Sequence, residues 1–267
     1  MVQWPCPFKP FRSFHRAHLV FTFLRFGPAP HGARDRHGRK LRRRVGGAAA
    51  VSADNLLISD SSTVTFSSGA FTDVGFLSIS AAQLGGATST PGGLNSTYGL
   101  YIAFTGTGTT TTGNPSTTPT FGSFDTLRYT LYGYNGTAAF GSSGNTPTES
   151  ATGEVALATG SLINGSVSTI PAGGGVYTPS AAAQLTFVPT AAAAGFFAAP
   201  NPFHDIAFAA FTNTVSQVEG FDGGFRIRQG GGAINFTTAV PEPETYALLL
   251  AGLGGVAFMA RRRRTRE

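Results

Sequence analysis

Cysteine and tryptophan each occur once in the 267 residues, as Cys6 and Trp4, and methionine only twice. Both single residues lie in the first few positions, so the remainder of the chain has no disulfide and no cysteine nucleophile. Histidine is nearly as scarce. Four of the five fall in the first 44 residues and only His204 follows, which excludes a His-based zinc site in the body. His204 and Asp205 are adjacent, and neighbours in a strand point to opposite faces, so the pair reads as a loop cap rather than a triad fragment. Charge is sparse at 12% of residues, and its distribution matters more than its sum. The formal charge of +6 would suit a nucleic-acid binder. Between residues 45 and 240, however, only Arg128, Arg226 and Arg228 oppose Asp54, Asp60, Asp73, Asp125, Glu149, Glu154, Asp205, Glu219 and Asp222. Three cations against nine anions make the body acidic, which excludes nucleic acid as its partner. Nine scattered acids single out no glycosidase pair. No calcium loop or phosphate-binding glycine loop occurs, and neither a metal nor a cofactor is expected.

What the body does contain is strand signal. From Phe124 to Tyr132, Leu127, Tyr129 and Leu131 share one face, while Thr126, Arg128 and Thr130 share the other. Tyr98 to Thr105 repeats the alternation with Leu100, Ile102 and Phe104 inward. Shorter segments read the same way at 56–58, 63–66, 76–79, 155–158, 185–188, 206–211, 225–227 and 234–236. Such spacing, with turn residues between, predicts an all-β fold: an antiparallel β-sandwich or jelly-roll-like body over residues 54–238. Asn135-Gly136 fits a two-residue hairpin turn, and Gly230-Gly231-Gly232 reads as a turn between two short strands. Residues 105–120, 172–175 and 191–199 read as low-complexity loops. Sequons occur at Asn95, Asn135, Asn164 and Asn235, at the frequency that chance gives in a chain so rich in Asn and Thr.

Residues 1–53 differ in kind. Residues 1–44 hold eleven Lys and Arg against Asp35, and their one apolar patch, Leu19 to Leu24, is too short for an export signal and is broken by Arg25. Arg42-Arg43-Arg44 followed by Val45 to Ala53 imitates such a signal with a weak apolar centre. This segment is expected to be a disordered basic stretch, the product of a displaced start or a degenerate export signal, and absent from the mature protein.

Residues 239–267 combine three zones in a fixed order. Val240, Pro241, Glu242, Pro243, Glu244 and Thr245 form a rigid polar segment, because the prolines hold the backbone near polyproline II and present Glu242 extended. Residues 246–260 follow without a charged or amide side chain, Tyr246, Leu248, Leu249, Leu250, Leu253, Val256 and Phe258 supplying the bulk. As a helix this run rises about 22 Å at roughly 1.5 Å per residue, a short transmembrane span. Gly252, Gly254 and Gly255 permit close packing on a partner helix. Arg261, Arg262, Arg263 and Arg264 form a basic stop, which directs this end to the cytoplasm and everything before Val240 outward.

The tripeptide Pro241-Glu242-Pro243, the apolar run and the arginine cluster resemble the PEP-CTERM sorting signal of exopolysaccharide-producing Gram-negative bacteria. That resemblance implies export across the inner membrane, transient anchoring by the C-terminal helix, and recognition by an exosortase, a membrane cysteine protease that cleaves near the tripeptide. Destination at the outer surface or extracellular matrix is implied with it. The body, in Ser96 to Tyr101, Leu131 to Gly136 and Gly220 to Phe236, looks like the flocculation-associated PEP-CTERM group. This second resemblance implies a non-enzymatic matrix protein associated with exopolysaccharide, in flocculation or biofilm formation. The alternatives are a secreted polysaccharide-modifying enzyme and a permanently membrane-anchored surface protein.

Overall fold

The computed structural model describes residues 19–22, 50–111, 117–173, 176–193, 196–199, 206–212 and 217–236. Eight long strands carry the body: β1 (Asn55–Ser67), β2 (Ala70–Leu84), β3 (Tyr98–Thr110), β4 (Thr120–Asn135), β5 (Thr152–Gly173), β6 (Val176–Thr186), β7 (Ile206–Thr212) and β8 (Gly224–Phe236). Each pairs antiparallel with the next in sequence, and β8 returns to pair with β1. The sheet therefore curls into a closed eight-stranded meander, with no unpaired edge in the ring. The all-β antiparallel expectation holds, and the two layers expected of a sandwich are here opposite walls of one curled sheet.

Closure sets the tilt. A circuit starting at Val64 and following cross-strand neighbours through Asp73, Gly106 and Leu127, then beside the Arg128–Ser161 pair to Leu162, and on through Leu185, Ala207 and Phe236, comes back beside Asp54. That displacement, residue 64 against residue 54, belongs to a barrel whose strands lean about 35–45° from its axis and whose interior admits side chains or one small ligand.

Inward positions explain why this sequence closes. Leu56, Ile58 and Val64 on β1, Leu77 and Ile79 on β2, Leu100, Ile102 and Phe104 on β3, Leu127, Tyr129 and Leu131 on β4, and Phe225, Ile227 and Ile234 on β8 are all buried in one core. The alternation read for β3 and β4 is the one observed. Burying each such side chain contributes about 1.5–3 kcal/mol, so closure is favoured once one wall faces another. Outward positions carry Thr105, Thr107, Thr109, Thr126 and Arg128, all exposed. A barrel that spans a lipid bilayer has the opposite polarity, an apolar exterior.

Strand lengths differ from expectation. The Gly230 to Gly232 run lies inside the continuous β8, not in a turn, and a register slip between Ile227 and Gly230 absorbs it. Thr105 to Thr110 finishes β3, and β5 runs for 22 residues where four were expected, through Ser- and Gly-rich sequence of weak propensity that partners on both sides hold extended. Asn135 ends β4 and Gly136 turns at φ 72°, but the chain proceeds to an added hairpin, Phe140–Ser143 with Thr146–Glu149, and not directly into β5.

The chain enters the barrel at Asn55 and leaves it at Phe236, two residues paired or adjacent at the same end. That end is sealed. Phe187, Phe197 and Phe236 pack edge-to-face at 5.2–5.4 Å, and Phe196 meets Phe197 at 4.9 Å. In the segment expected to be disordered, Leu19–Thr22 and Ala50–Ala53 form strands of a small sheet with Phe197–Ala199.

Candidate functional site

Two voids lie along the barrel axis, separated by Phe104 and Leu127, which line both. The void toward the sealed end, about 30 Å³, is walled by Leu56, Leu77, Ile102, Leu131, Leu185 and Ile234 among others. Its lining is apolar apart from the Tyr129 hydroxyl, which is taken up by the Thr186 carbonyl at 2.7 Å. Nothing there satisfies a water, and such a space stays dry.

The void toward the other end, about 50 Å³, differs in chemistry. Its walls are Val64, Phe66, Phe71, Phe104, Phe124, Leu127, Phe225 and Ile227, with Phe71 edge-on to Phe124 at 5.4 Å. Thr110, Thr120, Ser168, Thr169 and Ser180 stand at the strand ends that form its rim. Two carboxylates, Asp60 from β1 and Asp73 from β2, also line it. They point inward because they occupy the apolar phase of their strands: Leu56-Ile58-Asp60-Ser62-Val64 on β1, and Phe71-Asp73-Gly75-Leu77-Ile79 on β2.

Glycines stand across the strand pairs from these polar residues. Gly230 stands opposite Asp60, Gly106 opposite Asp73 and Gly75 opposite Ser62. A Cβ on Gly75 would lie 2.3 Å from the Ser62 Cβ, so this strand pair approaches too closely for any other residue. Asp60 is 4% exposed. Asp73 retains some exposure as a residue, yet its Oδ1 is sealed from solvent. Asp60 Oδ1, Asp73 Oδ1 and Ser62 Oγ have no hydrogen-bond partner. Desolvation pushes Asp60 up to about 7, with the nearby Ser62 side chain opposing. Asp73 is raised well above the ordinary carboxylate value by burial and then by the charge of Asp60.

A second polar-aromatic cluster lies outside the barrel. The added hairpin lays Phe140 against Phe76, Tyr101 and Tyr134, at 6.1, 5.2 and 6.2 Å, and Tyr101 stacks on Tyr132 at 5.2 Å. Tyr101 is 3% exposed despite its outward phase, and its hydroxyl donates to Glu154. Burial and that carboxylate both raise the phenol well above its usual value. Arg226 reaches over to donate to the Gly144 carbonyl and pairs with Glu219 at 2.7 Å. This cluster fastens the hairpin down.

Val240 to Arg264, and His204 with Asp205, lie outside the described residues. Among the sequons, Asn95 is at φ 60° with its amide donating to Ile79 and Ser80 carbonyls, and Asn164 donates to Gln184 at 2.8 Å. Among the described residues no group of three or more His, Cys, Asp and Glu is placed to hold a metal ion, and no helix is long and apolar enough to cross a membrane. Sequence reasoning passed over Asp60 and Asp73, which no motif joins. The signal was available in the interruption of an apolar alternation by one acid on each of two neighbouring strands.

Comparison with known families identifies one segment. Residues 239–264 match the PEP-CTERM protein-sorting motif, so the chain carries a signal for export and membrane-associated sorting. No curated protein and no solved structure matches the chain.

Proposed function

We propose that this chain is an exported, exosortase-processed, non-enzymatic surface or matrix protein whose barrel associates with exopolysaccharide. The match of residues 239–264 to the sorting motif carries the reading. The order of zones gives each part a role: the apolar run 246–260 inserts, Arg261 to Arg264 stop translocation and fix direction, and Glu242 between its prolines is read by the protease outside. The barrel exterior supports the second half. Thr105, Thr107 and Thr109 on β3 lie beside Thr126 and Thr130 on β4, a hydroxyl-lined wall with Thr107 and Thr126 hydrogen-bonded at 2.8 Å. Hydroxyls at strand spacing exchange hydrogen bonds with sugar hydroxyls at little desolvation cost. The test is fractionation of cells with and without exosortase. The reading predicts full-length protein held in the inner membrane without the protease, and shortened protein in the matrix with it. Equal export in both strains contradicts it.

A further inference from the structure

We propose that the upper void of the barrel is a binding site for one small organic cation, an ammonium group on a short apolar body, with its head between Asp60 and Asp73. The proposal goes beyond the sorting reading and does not depend on it.

The first observation is the shape. The void is lined from β1, β2, β3, β4, β5, β6 and β8, so it is a feature of closure itself and not of one loop. About 50 Å³ exceeds what one water requires and suits a small head group. The opposite end is packed with Phe187, Phe196 and Phe197, and Thr110, Thr120 and Thr169 line the void at the other end.

The second observation is the unpaired polarity. Leaving a buried carboxylate oxygen without a partner costs more than an ordinary lost hydrogen bond. Here one such oxygen of each acid that lines the void, Asp60 Oδ1 and Asp73 Oδ1, has no partner, and the nearby Ser62 hydroxyl is a single donor for two carboxyls. The residues opposite Asp60 and Asp73 across their strand pairs, Gly230 and Gly106, carry no side chain that could donate to them. Among the described residues the lining supplies no positive charge, Asp60 and Asp73 being its ionisable members. A cation from outside satisfies both carboxylate oxygens by charge-assisted hydrogen bonds.

The walls select the kind of cation. A divalent metal retains water and asks for further oxygen ligands, whereas the surfaces above the carboxylates are the rings of Phe71, Phe104, Phe124 and Phe225 with Val64 and Ile227. Aromatic faces stabilise an ammonium and accept an apolar body. Bringing a cation to the acids also favours their charged form, so binding releases protons near neutral pH, where Asp60 is part protonated when the site is empty.

Isothermal titration calorimetry on the full chain in phospholipid nanodiscs tests this, with n-butylammonium as probe, n-butanol as its neutral counterpart and calcium chloride as the metal arm. The expected result is saturable one-to-one binding of n-butylammonium and at least tenfold weaker binding of n-butanol. The heat near pH 7 should vary with the ionisation enthalpy of the buffer, reporting proton release. Asp60→Asn and Asp73→Asn should each weaken n-butylammonium at least tenfold. Ala181→Leu, which adds bulk to the wall of the void from β6 while the acids stand on β1 and β2, should do the same. Absence of saturable heat with wild type, equal binding of amine and alcohol, calcium binding in place of the amine, or wild-type affinity in the folded variants each overturns the proposal.

Discussion

Asp60 faces Gly230 across the β1–β8 pair, so a buried carboxylate looks onto a position with no side chain. The relationship ties the glycine run of β8 to an acid of β1: the run is part of the wall, and it sets no side chain opposite Asp60.

The first prediction concerns pH. Asp60 and Asp73 are raised in the folded state, so folding favours their protonated forms. The contribution of Asp60 is complete below the unfolded value near 3.8 and is lost as pH rises through about 7, and that of Asp73 is lost in the same direction. Asp60→Asn should therefore stabilise the body more at pH 8 than at pH 4, by up to about 4 kcal/mol at about 1.4 kcal/mol per tenfold change in proton affinity. Urea titrations of wild type and variant at both pH values measure the difference. An equal effect at both would show that the carboxyl is not desolvated.

Strand content was legible in the sequence where alternation was clean. Leu127-Tyr129-Leu131 and Leu100-Ile102-Phe104 mark their inward faces by alternation alone, and both sets are buried as read. Closure was not legible, because the pairing of β8 with β1 joins residues about 170 positions apart and leaves no local mark. Strand ends also misled. Thr105 to Thr110 and Gly230 to Gly232 carry turn-like composition, yet a barrel wall supplies hydrogen-bond partners on both sides and holds them extended. The Asp60–Asp73 pair was hidden as well, since β1–β2 pairing offsets the two acids by four residues and only the barrel interior brings both to one void.

A second prediction tests the close approach of β1 and β2. Gly75→Ala would place a methyl 2.3 Å from the Ser62 Cβ and 2.6 Å from the Ser61 carbonyl oxygen. Backbone must move, at a cost of about 1–3 kcal/mol. Thermal unfolding should register it, whereas Gly141→Ala, which meets nothing within 4 Å, should be nearly neutral.

A third concerns the hairpin over the outer wall. Phe140→Ala removes ring contacts to Phe76, Tyr101 and Tyr134, and should cost about 1–3 kcal/mol. Because the ring covers Tyr101, the Tyr101 phenol should titrate at lower pH in the variant. Ultraviolet difference titration reads this directly, and an unchanged phenol would mean that the hairpin does not cover it.

The fourth concerns the hydroxyl wall. Replacing Thr105, Thr107, Thr126 and Thr130 together by Val keeps shape and strand propensity while removing the hydroxyls. The variant should fold with an unchanged barrel and co-sediment less with the exopolysaccharide of the producing cell. Undiminished co-sedimentation would move the carbohydrate contact elsewhere on the protein.

The central claim is that the tail is read by a protease at Pro241-Glu242-Pro243, and that the apolar run and the arginines only position this tripeptide. Intact-mass measurement of the protein from cells containing exosortase tests it most directly, comparing wild type, Glu242→Ala and a variant with Arg261 to Arg264 neutralised. Glu242 contributes nothing to the apolar run 246–260, so Glu242→Ala is predicted to remain inserted with its C-terminal tail uncleaved while wild type is shortened near the tripeptide. The arginine variant is predicted to lose correct orientation instead. Wild-type shortening of Glu242→Ala would contradict tripeptide recognition.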